Sequence, residues 1–348
     1  MPKHPSEPGA PSEPDDAEVI HPRWQAWVAD NLARGAEPEA LVEALVEDGA
    51  PRPRARATVD EQRIHALRRR VAALEQIVRL RAEHRTLQAE GHTAIARRPL
   101  PTAEEFIARY VVPGVPVVLT DLVTRWPALE RWQPAALVER LGHESIEVCV
   151  GREDTTDPDA EWAPLRQELT VAALIERVLA GPSNDVYVIA KNAALRRPGL
   201  RSLLDDLVLP PALFGPRMDP ARMGLWIGPA GTHTPLHHDG DDSMFCQVVG
   251  RKRFRLAPPE SLALLDRSRG VYSHWDPGES AALADGPAHL IELVLEPGEA
   301  LLIPAGWWHQ VDALDPSISV SILALAWPND FGWYRPGSLL RGSVEPAR

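Results

Sequence analysis

The sequence predicts an α+β protein: a compact all-β sandwich or barrel behind a mixed lead-in, with a small all-α module ahead of both. Three observations carry this. From Gly224 to Pro328 short apolar runs (GLWIG, FCQVVG, KRFRLAP, IELVLEPGE, ALLIPAG, WWHQVDAL, SISVSILALAW) recur between Gly, Pro, Asp and Asn turns, the pattern of short strands closing on a common core. Between Thr102 and Asn192 helix-like and strand-like segments alternate, as in a layer packed on a sheet. Ahead of Leu100 the apolar positions follow helical spacing.

The 348 residues suffice for one large domain and a smaller one. No apolar run approaches the ~20 residues of a membrane span, and the opening MPKHPSEPGAPSEPDDAE has no apolar h-region. The two cysteines, Cys149 and Cys246, sit in separate strand-like runs and are expected as free thiols in a reducing, cytoplasmic setting. A net charge of −12 argues against general nucleic-acid affinity. The charge is uneven: Pro51 to Leu100 holds twelve Arg against five acidic residues, which reads as a solvated helix face or a patch for an acidic partner.

Residues 1–19, rich in Pro, Ser, Glu and Asp, are expected to be a disordered tail. Residues 20–97 form the helical module. Trp24, Trp27, Val28 and Leu32 mark a first helix stopped by Gly35; Leu41, Val42, Leu45 and Val46 mark a second stopped by Gly49. After a break expected at PRPRAR, a long Arg-rich helix capped by Thr58 or Asp60 runs to about Ala89, with Ile64, Leu67, Val71, Leu74 and Val78 in an a/d pattern that Arg81 and Arg85 interrupt. That stripe is expected to dock on the larger domain or to make a homodimer contact. Residues 98–336 form the larger domain and 337–348 a tail. In the larger domain Thr102 and Glu105 make a capping box. Strands are expected at VPGVPVVLTDLV, SIEVCVG and NDVYVIAKN, one helix over WPALERW and PAALVERLG, and another at TVAALIERVLAG.

The stretch AGTHTPLHHDGDDSMFCQVVGRKRFRLAPP, residues 230–259, organises the chemistry. On a strand residues i and i+2 share a face, so His237 and Asp239 point one way and His238 the other. An imidazole and a carboxylate on one face, completed by a second imidazole, make the facial triad of non-haem Fe(II) sites. His309, in LIPAGWWHQV, is the candidate for the second imidazole. A histidine beside tryptophans is by itself more often a packed core residue; the His-x-Asp on another strand reverses that preference. His233 lies some 13 Å from His237 along an extended strand, and a second His-x-Asp, His274 with Asp276, falls in a loop-like stretch.

This text resembles the cupin-like, JmjC-type Fe(II)- and 2-oxoglutarate-dependent oxygenases, the factor-inhibiting-HIF-like hydroxylases. The matching segments are LWIGPAGTHTPLHHD, QVVGRKRFRLAPP and LEPGEALLIPAGWWHQV, with a weaker match at EEFIARYVVPGVPVVLTDLVTRWPALERW. The resemblance implies a double-stranded β-helix (jelly-roll or cupin) core with a helical lead-in. It implies Fe(II) on His237, Asp239 and His309, and 2-oxoglutarate and O2 as cosubstrates. Thr234 and Lys252 fall where the family anchors the distal carboxylate of 2-oxoglutarate, and Tyr187 where a tyrosine hydroxyl often assists. A buried lysine needs an anionic partner, which agrees with that assignment. Ser243 stands where the family commonly has asparagine, and near Leu323 and Ala324 no polar residue accompanies the metal.

The function expected is hydroxylation of a C–H bond, preferably in a peptide or protein side chain. Hydroxylation of a free small molecule is the neighbouring reading, N-demethylation uses the same chemistry, and a non-catalytic metal- or ligand-binding barrel is the rival of another class. Lys191, Asn192 and Trp226 are substrate-facing candidates by neighbourhood. No nucleic-acid or membrane partner is expected.

Overall fold

A computed structural model of the chain describes residues 20, 22–89, 95–215, 219–261, 264, 268–275 and 290–329. The tails expected at 1–19 and 337–348, and Asp276, lie outside the described residues. The chain divides into two compact units, residues 1–87 and 88–348. In the first, α1 (Pro22–Ala33), α2 (Pro38–Glu47) and the start of α3 (Arg52–Ala89) share a small core of Trp24, Val28, Leu41, Val42, Leu45, Ala55 and Val59. The helix α3 starts at Arg52, through the break expected at PRPRAR, because burial of Ala55 and Val59 in that core draws the first turn in; Thr58 and Asp60 are interior rather than caps. The two short helices end at Gly35 and Gly49 with φ of +82° and +97°, conformations that glycine reaches without strain.

The second unit opens with β1 (Ala96–Arg98), α4 (Ala103–Phe106) and β2 (Val117–Leu119). The strand β1 pairs in parallel with β2, so regular structure begins just ahead of the linker expected near Pro99. Thr102 caps α4 by accepting from the Glu105 N–H at 3.2 Å, one half of the expected capping box; the Glu105 carboxylate pairs instead with Arg98 and Arg109. After α5 (Ala128–Arg131) and α6 (Pro134–Leu141), β3 (Ser145–Cys149) pairs with β4 (Arg166–Thr170), and α7 (Val171–Leu179) and α8 (Pro211–Phe214) complete the lead-in. The strand expected at NDVYVIAKN forms only two single bridges, Tyr187 to Cys149 and Val188 to Ile227. The chain crosses there from the lead-in hairpin to the barrel, and the left-handed turn at Ala193, φ +52°, stops extension.

The core strands are β5 (Met223–Gly228), β6 (His233–His238), β7 (Ser243–Val249), β8 (Lys252–Ala257), β9 (Ser268–Arg269), β10 (Tyr272–Ser273), β11 (Ile291–Leu295), β12 (Ala300–Ile303), β13 (Trp308–Ala313) and β14 (Ser317–Ile322). They form two six-stranded sheets, ordered β1-β2-β12-β7-β14-β5 and β11-β8-β13-β6-β10-β9. Alternation sorts their side chains. Phe245, Leu301 and Ile303 from one sheet meet Phe254, Leu256 and Val311 from the other. The opposite face of the first sheet, with Met244, Cys246, Leu302 and Val320, is covered by lead-in residues such as Phe106, Trp126 and Leu174. Strands covered on both faces read as continuous apolar runs, as FCQVV and ALLI do. Both cysteines are buried free thiols. Among the described residues no helix is long and apolar enough to cross a membrane.

One buried carboxylate ties the lead-in together. Asp206 is fully buried and accepts from Trp132 Nε1, Arg131 and Arg140, each at 2.9 Å. Burial alone would raise its pKa, but these hydrogen bonds outweigh burial and hold the carboxyl below its ordinary range. Its stabilisation is therefore present above the unfolded carboxyl pKa and fades as acid protonates the folded form. Asp206→Ala is expected to cost about 2–3 kcal/mol by orphaning a buried indole N–H and two guanidinium groups. Urea unfolding at pH 7 measures that loss, and the gap between variant and wild type should narrow in acid.

Candidate active site

The site is set by the pairing of β13 with β6, which places His309 opposite His237 and Trp308 opposite His238. The two facing imidazoles lie 4.1 Å apart, centroid to centroid. Asp239 follows just past the end of β6, and its carbonyl accepts from the Gly306 N–H at 2.8 Å. The loop before β13 is thereby tied to the loop that carries the carboxylate. Donor atoms of His237, Asp239 and His309 all fall within 4.8 Å of one another, the one such grouping among the described residues. His238 faces away and packs on Trp308.

Backbone carbonyls decide the tautomer of both imidazoles. His237 Nδ1 lies 2.8 Å from the Pro235 carbonyl, and His309 Nδ1 3.0 Å from that of Trp307. A carbonyl can only accept, so each Nδ1 carries a proton, and in the neutral ring that leaves the lone pair on Nε2. His309 Nε2 is turned toward Asp239 Oδ2, 3.7 Å away. Burial first, and then neighbouring His237, hold His309 well below the ordinary imidazole range. Neutral rings with their outer nitrogen fixed by a second partner are what a divalent cation requires.

The register also changes what lies on the inner face. Between His309 and Val311 β13 advances two residues, while β6 runs three, from His237 to Thr234. This β-bulge brings Thr234 and His237 to the same side, although simple alternation separates them. Pro235, which has no N–H to give the ladder, sits inside it.

Beside Thr234 lies a buried cation. Lys252 Nζ donates to Tyr187 Oη at 2.9 Å, and the neighbouring Thr234 side chain acts against the rise of the Tyr187 pKa. Tyr187, Trp226 and Phe245 surround the ammonium with ring centroids at 5.2–5.9 Å. Burial pushes Lys252 down to about 7 and pushes the Tyr187 phenol up. Ring faces favour the charged amine, but the lysine has no carboxylate partner among the described residues.

A family model described as a cupin-like domain matches residues 102–323. The chain belongs to the cupin-like domain family. It is similar to lysine-specific demethylase 8 of Xenopus tropicalis (31% identity over 241 residues, 67% of this chain and 53% of the relative). It is similar also to lysine-specific demethylase JMJ30 of Arabidopsis thaliana (31% over 249 residues, 68% and 55%). The human bifunctional peptidase and (3S)-lysyl hydroxylase JMJD7 matches at 25% over 255 residues, 64% of this chain and 80% of the relative. The chain thus spans just over half the length of the two demethylase relatives. These similarities make it a JmjC-type member, and JmjC oxygenases use Fe(II), 2-oxoglutarate and O2. The donor set fits the metal: two imidazoles, each with Nδ1 tied to a backbone carbonyl, and one carboxylate bring their donor atoms within 4.8 Å of one another.

The other expected residues of the cupin-like site divide. Trp226 lines the Lys252 cage and donates to Ser321 Oγ at 3.0 Å. Asn192 is buried away from the mouth, bonded to the Ile189 N–H and Glu147. Lys191 is exposed, with Nζ 3.4 Å from Tyr272 Oη. Ser243 is buried on β7 opposite Ile303 and forms no hydrogen bond with the Lys252–Tyr187–Thr234 trio. His233 joins an outer-face network instead, donating to Asp312 at 2.8 Å beside Arg253 and Arg255.

Two features escaped the sequence. Tyr272, on the two-residue strand β10, pairs with His237 and lays its ring 5.6 Å from that imidazole. The stretch before His274 is thus not wholly loop. In β14, Ser319 and Ser321 alternate with the covered Ile318, Val320 and Ile322. Their partners, Gln247 and Trp226, place these serines on the inner face. The Ser-x-Ser-x-Ser alternation was the signal that could have found them.

Asp239→Ala is expected to weaken Co(II) binding well beyond the 10–100-fold that loss of an outer partner costs. Absorption titration measures this; an unchanged affinity would place the metal elsewhere.

Proposed function

We propose that this chain is an Fe(II)- and 2-oxoglutarate-dependent oxygenase that hydroxylates a C–H bond in a peptide or protein side chain. The observation that carries the proposal is the buried Lys252–Tyr187–Thr234 cluster beside the His237–Asp239–His309 group. A site that only held a metal would have no use for a cation buried at that cost. A dicarboxylate reaching from the metal into the barrel gives the ammonium its missing counter-charge.

In this reading His237, Asp239 and His309 would hold the iron. Bound iron, with 2-oxoglutarate and O2, supplies the oxidising power that puts one oxygen atom into a C–H bond while 2-oxoglutarate becomes succinate and CO2. The chain's own work is placement. Lys252 and the Tyr187 and Thr234 hydroxyls grip the distal carboxylate. Phe245 and Trp226 keep water from that grip, which strengthens each charged hydrogen bond. Tyr272 fixes the His237 ring from the mouth side. The relatives' names divide between lysine-specific demethylase and lysyl hydroxylase. N-demethylation is therefore the second reading, since it too begins with attack on a C–H bond. Two buried free thiols favour a cytoplasmic protein, and the same reading takes it as a homodimer.

Succinate release from 2-oxoglutarate with Fe(II) and ascorbate tests the activity. His237→Ala is expected to abolish it, and equal background turnover in both proteins would refute it. Mass spectrometry of peptides incubated with each protein separates a +16 product from formaldehyde release.

Lys252→Met should weaken 2-oxoglutarate about 30- to 1000-fold, the loss of a buried charged pair, while Co(II) binding is kept. The pH dependence has a defined sign. Below about 7 the amine is already charged; above it, the bound dicarboxylate must draw a proton onto Lys252. Affinity should therefore fall as pH rises from 7, by up to tenfold per unit. Calorimetry in two buffers of different ionisation heat should show proton uptake approaching one at pH 8.

A further inference from the structure

The three-helix core of the first unit ends at Val59, yet α3 continues to Ala89. From Asp60 to Arg81 no side chain of α3 is buried, a stretch of about 33 Å. Six of the nine large apolar side chains that stand exposed among the described residues lie on it: Ile64, Leu67, Val71, Leu74, Ile77 and Leu80, at 48–60% exposure. Such a concentration on one helix marks a surface awaiting a partner, and a helix this long draws most of its stability from burying such a face.

The residue types say which partner. Ile64, Val71 and Val78 take the a positions of a heptad repeat, and Leu67 and Leu74 the d positions. β-Branched residues at a with leucine at d favour two parallel strands over three or four. The flanking charges agree. In a parallel pair the g position of one helix faces the e position of the next heptad of its partner, so Arg70 meets Glu75 twice by symmetry. Ile77, at g, widens the apolar seam. Arg63 would face Arg68 of the second copy, but Arg63 is held by Asp60 in its own helix at 3.4 Å. The seam is short, because Arg81 and Arg85 occupy the next d and a positions. It starts from a helix already anchored at Ala55, Thr58 and Val59, so nucleation adds nothing to the cost of pairing.

We infer that α3 is the dimerisation element of this protein: a second copy packs along Ile64, Leu67, Val71, Leu74 and Val78 as a parallel, in-register two-stranded coiled coil. The inference does not depend on the chemistry proposed for the barrel.

Light scattering of the full chain from about 1 to 100 μM tests it. Wild type should show the mass of two chains at the upper end, and Leu67→Glu/Leu74→Glu the mass of one, with turnover of 2-oxoglutarate unchanged. Glu75→Arg, a surface change that spares the fold, should raise the dimer dissociation constant about three- to tenfold, and Arg70→Glu/Glu75→Arg should recover it. Orientation is read from Leu67→Cys and Leu74→Cys made separately; the native thiols are buried. A parallel pair cross-links at both positions under mild oxidation, whereas an antiparallel pair brings at most one of them to its axis. A wild-type monomer throughout the range would overturn the proposal. So would a trimer or tetramer, a dimer indifferent to Leu67→Glu/Leu74→Glu, or cross-linking at one position only.

Discussion

The antiparallel register that sets His309 across from His237 is the constraint on which the rest of the site depends. A one-residue slip would turn His309 outward and bring Trp308 to the metal position. The register is held at several levels. Trp307 enters the barrel core while Trp308 packs outside on His238, so the aromatic pair resists slippage in either direction. Carbonyls on the same two strands then fix the imidazole tautomers. Asp239 is held through its carbonyl by Gly306, in the loop ahead of β13. Its side chain is half exposed, yet its backbone is tied, so the carboxylate stays in reach without being sealed from substrate.

The cost of this design is concentrated in Lys252. Removing an ammonium from water is expensive, and hydroxyl groups and ring faces repay it only in part. On the proposed reading the same expense would favour an anion over a neutral ligand, because only the anion compensates the ammonium.

Much of this was legible in residue spacing. The alternation of His237, His238 and Asp239, and of Trp307, Trp308 and His309, placed each side chain on its observed face. The short apolar runs marked the core strands because both faces of the first sheet are covered. Where the reading fell short, a local departure from periodicity was responsible. Thr234 reaches the inner face only through the bulge at Pro235, which no alternation rule anticipates. Tyr187 meets Lys252 because the chain crosses between two sheets there, so the strand expected around it shrinks to isolated bridges. Tyr272 owes its place to a two-residue strand, too short to leave a pattern. The Ile64–Val78 stripe was plain as a periodicity; that the first unit's own core stops short of it, at Val59, was not.

Asp242, three residues beyond Asp239, has a further consequence. Its carboxylate accepts from the Ala305 N–H and from Trp327 Nε1, and its backbone N–H and carbonyl are both bonded to the Asn329 side-chain amide. The segment after β14 therefore closes over the turn that carries the carboxylate. Anyone shortening this chain for crystallography, or grafting the barrel onto another scaffold, should count Trp327 and Asn329 as part of the catalytic unit. A boundary drawn at the last strand would keep all three putting-in-place residues of the metal group yet leave their turn unbraced.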